Sequence, residues 1–241
     1  HLGLLPAMSP VKNGFDEFFR CNSGGIDHIS HTNVLGQKDL YENETPVVKK
    51  GYLTELFAER TIDIIRRHHT KPFFISLMFS APHWPLQAPG DTAYTLGREK
   101  WQEGGSAEKY AAMMKSLDDA IGNIIQTLEK ENLSKNTVII FTSDNGGERF
   151  GNNGIYQKGK FHLWEGGIRT AAFIRWPGKI PANSSTQQVA ITMDWMATIL
   201  ALAKVKADQK FPLDGINLMP VCMEKTKEVK RTLYWRVFQR N

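Results

Sequence analysis

Phe73-Phe74-Ile75-Ser76-Leu77-Met78-Phe79, leading into Ser80-Ala81-Pro82-His83-Trp84-Pro85, decides how this chain is read. A second stretch repeats the plan: Thr137-Val138-Ile139-Ile140-Phe141-Thr142 leads into Ser143-Asp144-Asn145-Gly146-Gly147. Each is a short apolar run with little alternation, too short for a buried helix. Each therefore reads as a buried strand of a parallel sheet. Working outward, residues 52–67 read as a helix with Leu53, Leu56, Phe57, Ile64 and Ile65 on one face, closed by Arg66 and Arg67. Residues 107–131 carry the clearest helical period, with Met113, Leu117, Ile121, Ile124 and Leu128 on the apolar stripe. Residues 171–176 read as a third strand and 194–204 as a helix, with a possible strand at 233–238. Residues 1–50 read as loop-rich and 86–106 as irregular. This order gives an α/β fold with a mostly parallel sheet flanked by helices. Ligands in such sheets bind beyond the carboxyl ends of the strands, which points to His83 and to Asp144-Asn145.

The composition fits a folded domain. The chain has 241 residues, 41% of them hydrophobic, enough for a buried core. Its formal net charge of +5 is mild and its basic residues are scattered. That suits an anionic ligand better than a nucleic-acid groove. No apolar run approaches the ~18 residues that span a bilayer. The two cysteines, Cys21 and Cys222, show neither a C-x-x-C nor a zinc spacing, and pairing and free thiols both stay open.

Several residues carry chemistry, each with a plainer alternative. Asp144-Asn145 offers a carboxylate and an amide oxygen to a hard cation, or caps a turn. His83, held between Pro82 and Trp84-Pro85, reads as a general acid or anion ligand, or as a ring packed on Trp84. Lys160 lies in a glycine-punctuated loop that could hold a tetrahedral oxyanion, or is a solvated surface lysine. Glu165-Gly166-Gly167 reads as a tight turn into the next strand. His28 and His31 flank Gly-rich turns and could contact a ligand, with a surface position as the default. Asp194 reads as an N-cap.

Taken together these motifs resemble the sulfatase family of the alkaline-phosphatase superfamily. His1-Leu2-Gly3 is similar to the end of a Gly-Lys-Trp-His-Leu-Gly motif. Gly14-Phe15-Asp16-Glu17-Phe18 with Gly24-Gly25-Ile26-Asp27 resembles the family segment that follows. Ser80-Ala81-Pro82-His83-Trp84-Pro85 matches the strand-end histidine motif, and Phe141-Thr142-Ser143-Asp144-Asn145-Gly146-Gly147 the second metal motif. Lys160 stands five residues before Glu165 in a Lys-x-x-x-x-Glu-Gly-Gly element. Trp176-Pro177-Gly178 and Asp214-Gly215-Ile216-Asn217-Leu218-Met219-Pro220 follow in order.

The resemblance implies a sulfuric-ester hydrolase. Asp144 and Asn145 would ligate a divalent cation, most often Ca²⁺. Lys160 would bind the sulfate oxygens, His83 would contact sulfate and protonate the departing alcohol, and His1 would support the nucleophile. The expected substrate is a sulfated small molecule or a sulfated glycan, and the expected location is secreted, periplasmic or lysosome-like. The family makes a formylglycine nucleophile from Cys/Ser-x-Pro-x-Arg, and no such motif occurs here: Cys21 is followed by Asn22-Ser23-Gly24 and Cys222 by Met223-Glu224-Lys225. The chain is thus expected to be a fragment without the N-terminal portion, inactive by itself. Residues 1–205 would be part of the catalytic domain and 206–241 the start of a C-terminal subdomain. Two alternatives stand beside this: a phosphodiesterase or phosphonate hydrolase of the same superfamily, and a non-catalytic sulfatase-like binding protein.

Overall fold

The computed structural model describes residues 6–94 and 98–236. The chain forms two compact units, residues 1–133 and 134–241.

In the first unit, β1 (Phe19–Cys21), β2 (Leu40–Glu42) and β3 (Thr45–Pro46) form an antiparallel meander with Cys21 opposite Leu40 and Glu42 opposite Thr45. Asn43 turns the β2–β3 hairpin at φ 53°, a conformation asparagine tolerates, and its Oδ1 accepts the Phe18 N–H at 2.9 Å. Strands of two or three residues are too short to show alternation, which is why this region reads as loop in the sequence.

Two helices fall where the 3.6-residue period places them. α1 (Leu53–Arg67) buries Leu53, Phe57, Thr61 and Ile65, each four residues on, and packs against a longer helix, which spans Ala107–Lys130. Between them the structure inserts α2 (Arg98–Glu103), six residues that read as irregular, where Trp101 is buried. The long helix is α3; its N-cap Ser106 accepts the Lys109 N–H at 3.3 Å. The core joins Ile26, Leu40, Leu53 and Phe57, with Phe19, Leu77 and Phe79 packed on it.

Residues 73–79 depart from expectation. They are extended, but among the described residues they join no strand ladder, and their exposure alternates. Leu77 and Phe79 face the core, whereas Phe74 is 58% exposed and Met78 76%. The run is half-buried rather than a fully buried strand.

The second unit holds β4 (Ile139–Thr142) and β5 (Ala172–Arg175), paired antiparallel with Ile139 opposite Arg175 and Thr142 opposite Ala172. The expected parallel sheet is therefore not what the described strand pairs form, though the α/β class holds. A parallel pair needs a crossover of a dozen or more residues that carries the chain back along a sheet face, usually as a helix. Only α4 (Glu165–Ile168), a single turn, lies between β4 and β5. The loop there reverses the chain, and antiparallel pairing follows. α5 (Met193–Leu202) and α6 (Met219–Cys222) complete the unit. Residues 233–236 are not in a strand. No helix among the described residues is long and apolar enough to cross a membrane.

Candidate functional site

β4 delivers Ser143-Asp144-Asn145 at its carboxyl end, and the chain returns through a loop held by backbone contacts. Gly146 N donates to Gly167 O at 2.9 Å, Lys160 N to Gly147 O at 3.2 Å, and Gly166 N to Gln157 O at 3.0 Å. Glycine is required here by close approach: a Cβ on Gly146 would overlap the Gly166 carbonyl, and a Cβ on Gly167 the His162 carbonyl. Asn153 clamps the loop from inside. Its Oδ1 accepts the Gly147 N–H at 2.8 Å, and its Nδ2 donates to Lys158 O at 2.9 Å. This local sewing brings Asp144, Asn145 and Lys160 onto one loop, although Lys160 lies fifteen positions after Asn145 in the chain.

Lys160 is not a solvated surface lysine. Its side chain is 16% exposed, with Nζ 3.7 Å from Glu148 Oε2 and 5.3 Å from the Phe161 ring centroid. Glu165-Gly166-Gly167 is the opening turn of α4 rather than a bare turn. Glu165 is exposed and pairs with Arg169 at 3.1 Å.

The donor chemistry at Asp144-Asn145 suits a hard divalent cation. Asp144 is exposed, and among the described residues its Oδ1 accepts only its neighbour's N–H, Asn145 N at 3.0 Å. The Asn145 amide nitrogen is turned to Gly146 O at 3.0 Å, which leaves the amide oxygen as the available donor. Two oxygen donors are a partial shell for an ion that takes six to eight. Among the described residues no group of three or more His, Cys, Asp or Glu side chains is arranged around a metal. Neither cysteine supplies a nucleophile site. Both are free, and burial pushes the Cys21 and Cys222 thiols up.

His83 belongs to the first unit. Its Nδ1 lies 2.9 Å from Trp84 O, and because a carbonyl only accepts, Nδ1 carries the hydrogen. The ring also packs on Trp84 with centroids 4.7 Å apart. His1 lies outside the described residues.

His28 and His31 are not at the surface: their exposures are 0% and 4%. His28 Nε2 lies 3.2 Å from His83 O, and its backbone N donates to Gln87 Oε1 at 2.8 Å. Gln87 Nε2 in turn donates to Asp27 Oδ2 at 2.8 Å, and Asp27 also accepts the N–H groups of Ile29, Ser30 and Tyr94. Burial raises the Asp27 carboxyl, but these hydrogen bonds outweigh it and hold the group below its ordinary range. Burial pushes His28 down from 6.5 to about 4.

This sets a pH dependence. The unfolded chain protonates His28 near 6.5 and the folded one only near 4. The contribution is complete above pH 6.5 and is lost as pH falls toward 4, in all about 3 kcal/mol for such a shift. Asp27 has the same sign at lower pH. Urea midpoints measured from pH 7.5 down to 5 are expected to fall, and to fall less steeply in His28→Phe. A midpoint that stays level or rises on acidification would contradict this.

Asp194 is not the N-cap of α5, a position held by Thr192; it sits in the first turn and is fully buried. Its oxygens accept from Ile191 N, Ile216 N and Arg231 Nη1. Sequence reading also missed Glu148, Asn153 and Gln87. Asn152-Asn153-Gly154 looks like any turn, and nothing local marks Gln87 as buried.

Comparison with known proteins agrees with the motifs. The family model described as Sulfatase matches residues 1–205. The chain is 32% identical over 256 residues to N-acetylgalactosamine-6-sulfatase of Homo sapiens, covering 98% of this chain and 47% of that protein. It is 33% identical over 242 residues to arylsulfatase J of Mus musculus, covering 93% of this chain and 39% of that one. The crystal structure of Ps i-CgsB matches with a TM-score of 0.80 at 28% identity, over 92% of this chain and 53% of that chain. The same protein has been solved in complex with k-i-k-neocarrahexaose. The chain thus spans about half the length of the curated relatives it matches. With the family model covering most of its length and the strand-end motifs in their expected order, the chain belongs to the sulfatase family.

Proposed function

We propose that this chain is part of a sulfuric-ester hydrolase acting on sulfated glycans, with residues 1–205 contributing to the catalytic domain and 206–241 beginning a further subdomain. The observation that carries the reading is the glycine-sewn loop that groups Lys160 with Asp144 and Asn145. Hydrolysis of a sulfate ester builds charge on the non-bridging oxygens and on the departing oxygen. Lys160 offsets the first, since its partly buried ammonium is worth more there than in water. Glu148, 3.7 Å from it, is its partner at rest and would give way to the anion. Asp144 and Asn145 hold a divalent cation, with calcium preferred because a flexible oxygen set suits it. When bound, that cation supplies Lewis-acid charge to the sulfate oxygens. His83, its Nδ1–H fixed on Trp84 O, would act in its doubly protonated form and give the Nε2 proton to the departing alcohol, which leaves the ring neutral with its hydrogen on Nδ1. His1 supports the nucleophile. No residue of this chain fits the nucleophile itself.

Glycan preference is favoured over simple aryl sulfates by the N-acetylgalactosamine-6-sulfatase relative and by the oligosaccharide complex of Ps i-CgsB. The test is made on the whole protein. Calcium at about 100 times its dissociation constant is expected to stabilise it by about 3 kcal/mol in thermal melts, with the gain abolished by Asp144→Ala. Lys160→Ala is expected to lower kcat/KM on a sulfated N-acetylhexosamine by about 10²–10³. A protein that shows no calcium response and hydrolyses no sulfate ester would refute the reading.

A further inference from the structure

The buried polar network beneath His83 has no part in the roles above. His28 is fully buried and stacks on Tyr52 with ring centroids 5.6 Å apart. Burial keeps the ring neutral near pH 7. The atom facing Nε2 at 3.2 Å is the His83 carbonyl, so the neutral ring carries its hydrogen on Nε2 and donates. Among the described residues the other nitrogen, Nδ1, is buried without a hydrogen-bond partner. Leaving a buried acceptor unpaired costs free energy, so a merely space-filling role would be met better by phenylalanine. What the imidazole adds here is one hydrogen bond, and that bond goes to His83.

The support for His28 is itself fixed at several points. Its backbone N–H is held by Gln87, whose side chain also donates to Asp27 and to Thr92 O at 3.2 Å. Tyr52 Oη donates to Gln87 O at 2.8 Å. Asp27 and Gln87 are both fully buried. The segment 27–31 and the segment 83–92, about sixty residues apart in the chain, are thereby locked as one piece.

We propose that His28, held by Asp27, Gln87 and Tyr52, is the positioning residue of His83: its Nε2–H fixes the His83 carbonyl and so the backbone from which the His83 ring is aimed. The inference rests on the reading of His83 as proton donor to the departing oxygen. As the nucleophile bonds sulfur and the ester sulfur–oxygen bond breaks, the electron pair goes to the departing oxygen, which takes the Nε2 proton of doubly protonated His83 and leaves that ring neutral with its hydrogen on Nδ1. A misaimed donor harms esters whose leaving group needs the proton and spares those whose leaving group departs as a stable anion.

The experiment compares phenyl sulfate with 4-nitrophenyl sulfate in the whole protein. His28→Phe keeps the ring on Tyr52 and deletes the donor. It is expected to lower kcat for phenyl sulfate about 10–100-fold and for 4-nitrophenyl sulfate about 3-fold or less, at unchanged KM. His28→Gln, which retains a donor at the Nε2 position, is expected to recover most of the loss. Tyr52→Phe, which frees Gln87 O, is expected to shift the ratio in the same direction by a smaller factor. Because the ratio is taken within one preparation, a reduced folded fraction cancels. Equal losses on both esters in His28→Phe and Tyr52→Phe, or none, overturn the inference while His83→Gln still shows a leaving-group-dependent loss. If His83→Gln shows no such dependence, or the wild type turns over neither ester, the reading of His83 falls and takes the inference with it.

Discussion

Arg231→Met is expected to destabilise the protein by about 3–5 kcal/mol, the usual range for removing one partner of a buried ion pair. Asp194 is 0% exposed and the Arg231 side chain 12%, with Nη1 at 2.7 and 2.8 Å from the two carboxylate oxygens. The variant leaves the carboxylate buried with, among the described residues, the Ile191 and Ile216 N–H groups to solvate it. An apolar side chain of similar length fills the space but cannot offset the charge. The pair also ties residue 231 to the first turn of α5. Urea denaturation at pH 7 measures the cost. Asp194→Leu combined with Arg231→Met is expected to recover a large part of it, since the uncompensated charge has then gone. A single variant within about 1 kcal/mol of wild type would show that the pair is not buried in solution.

Gly146→Ala is expected to cost function on the scale of Lys160→Ala and to remove the calcium response as well. The added methyl would meet the Gly166 carbonyl and the Gly167 Cα, both backbone, so no side chain can rotate away to admit it. The hydrogen bond from Gly146 N to Gly167 O, at 2.9 Å, must open and with it the closure that groups Asn145 with Lys160. A displacement of about 1 Å at reacting groups costs about 10²-fold, and kcat/KM in the whole protein is expected to fall by at least that, together with the calcium response. Gly122→Ala is the matched control. It lies inside α3 with nothing within 4 Å of its added methyl, and is expected to stabilise by about 0.5–1 kcal/mol. Wild-type activity and calcium response in Gly146→Ala would mean that the loop does not need its closure.

Much of this protein was written in the sequence. The apolar period placed α1, α3 and α5 within one or two residues, because a helix records its environment along its own length. The turn chemistry of Ser143-Asp144-Asn145-Gly146-Gly147 placed the oxygen donors just beyond a strand end, where β4 delivers them. Strand direction was not written there. β4 and β5 are each apolar runs that suit either pairing, and only the path of the intervening loop decides. Burial of His28 was also invisible locally, since its partners at Gln87 and His83 are more than fifty residues away. Asp194 has the residue type and position of a cap. It becomes half of a buried ion pair only when the chain brings Arg231 back, 37 residues later. Local periodicity and turn preference act through neighbours in sequence, so the sequence alone determined the helices and the strand-end donors. Partners distant in sequence meet only along the folded path, so the tertiary structure alone decided the strand pairing, the buried network under His83 and the closure around Lys160.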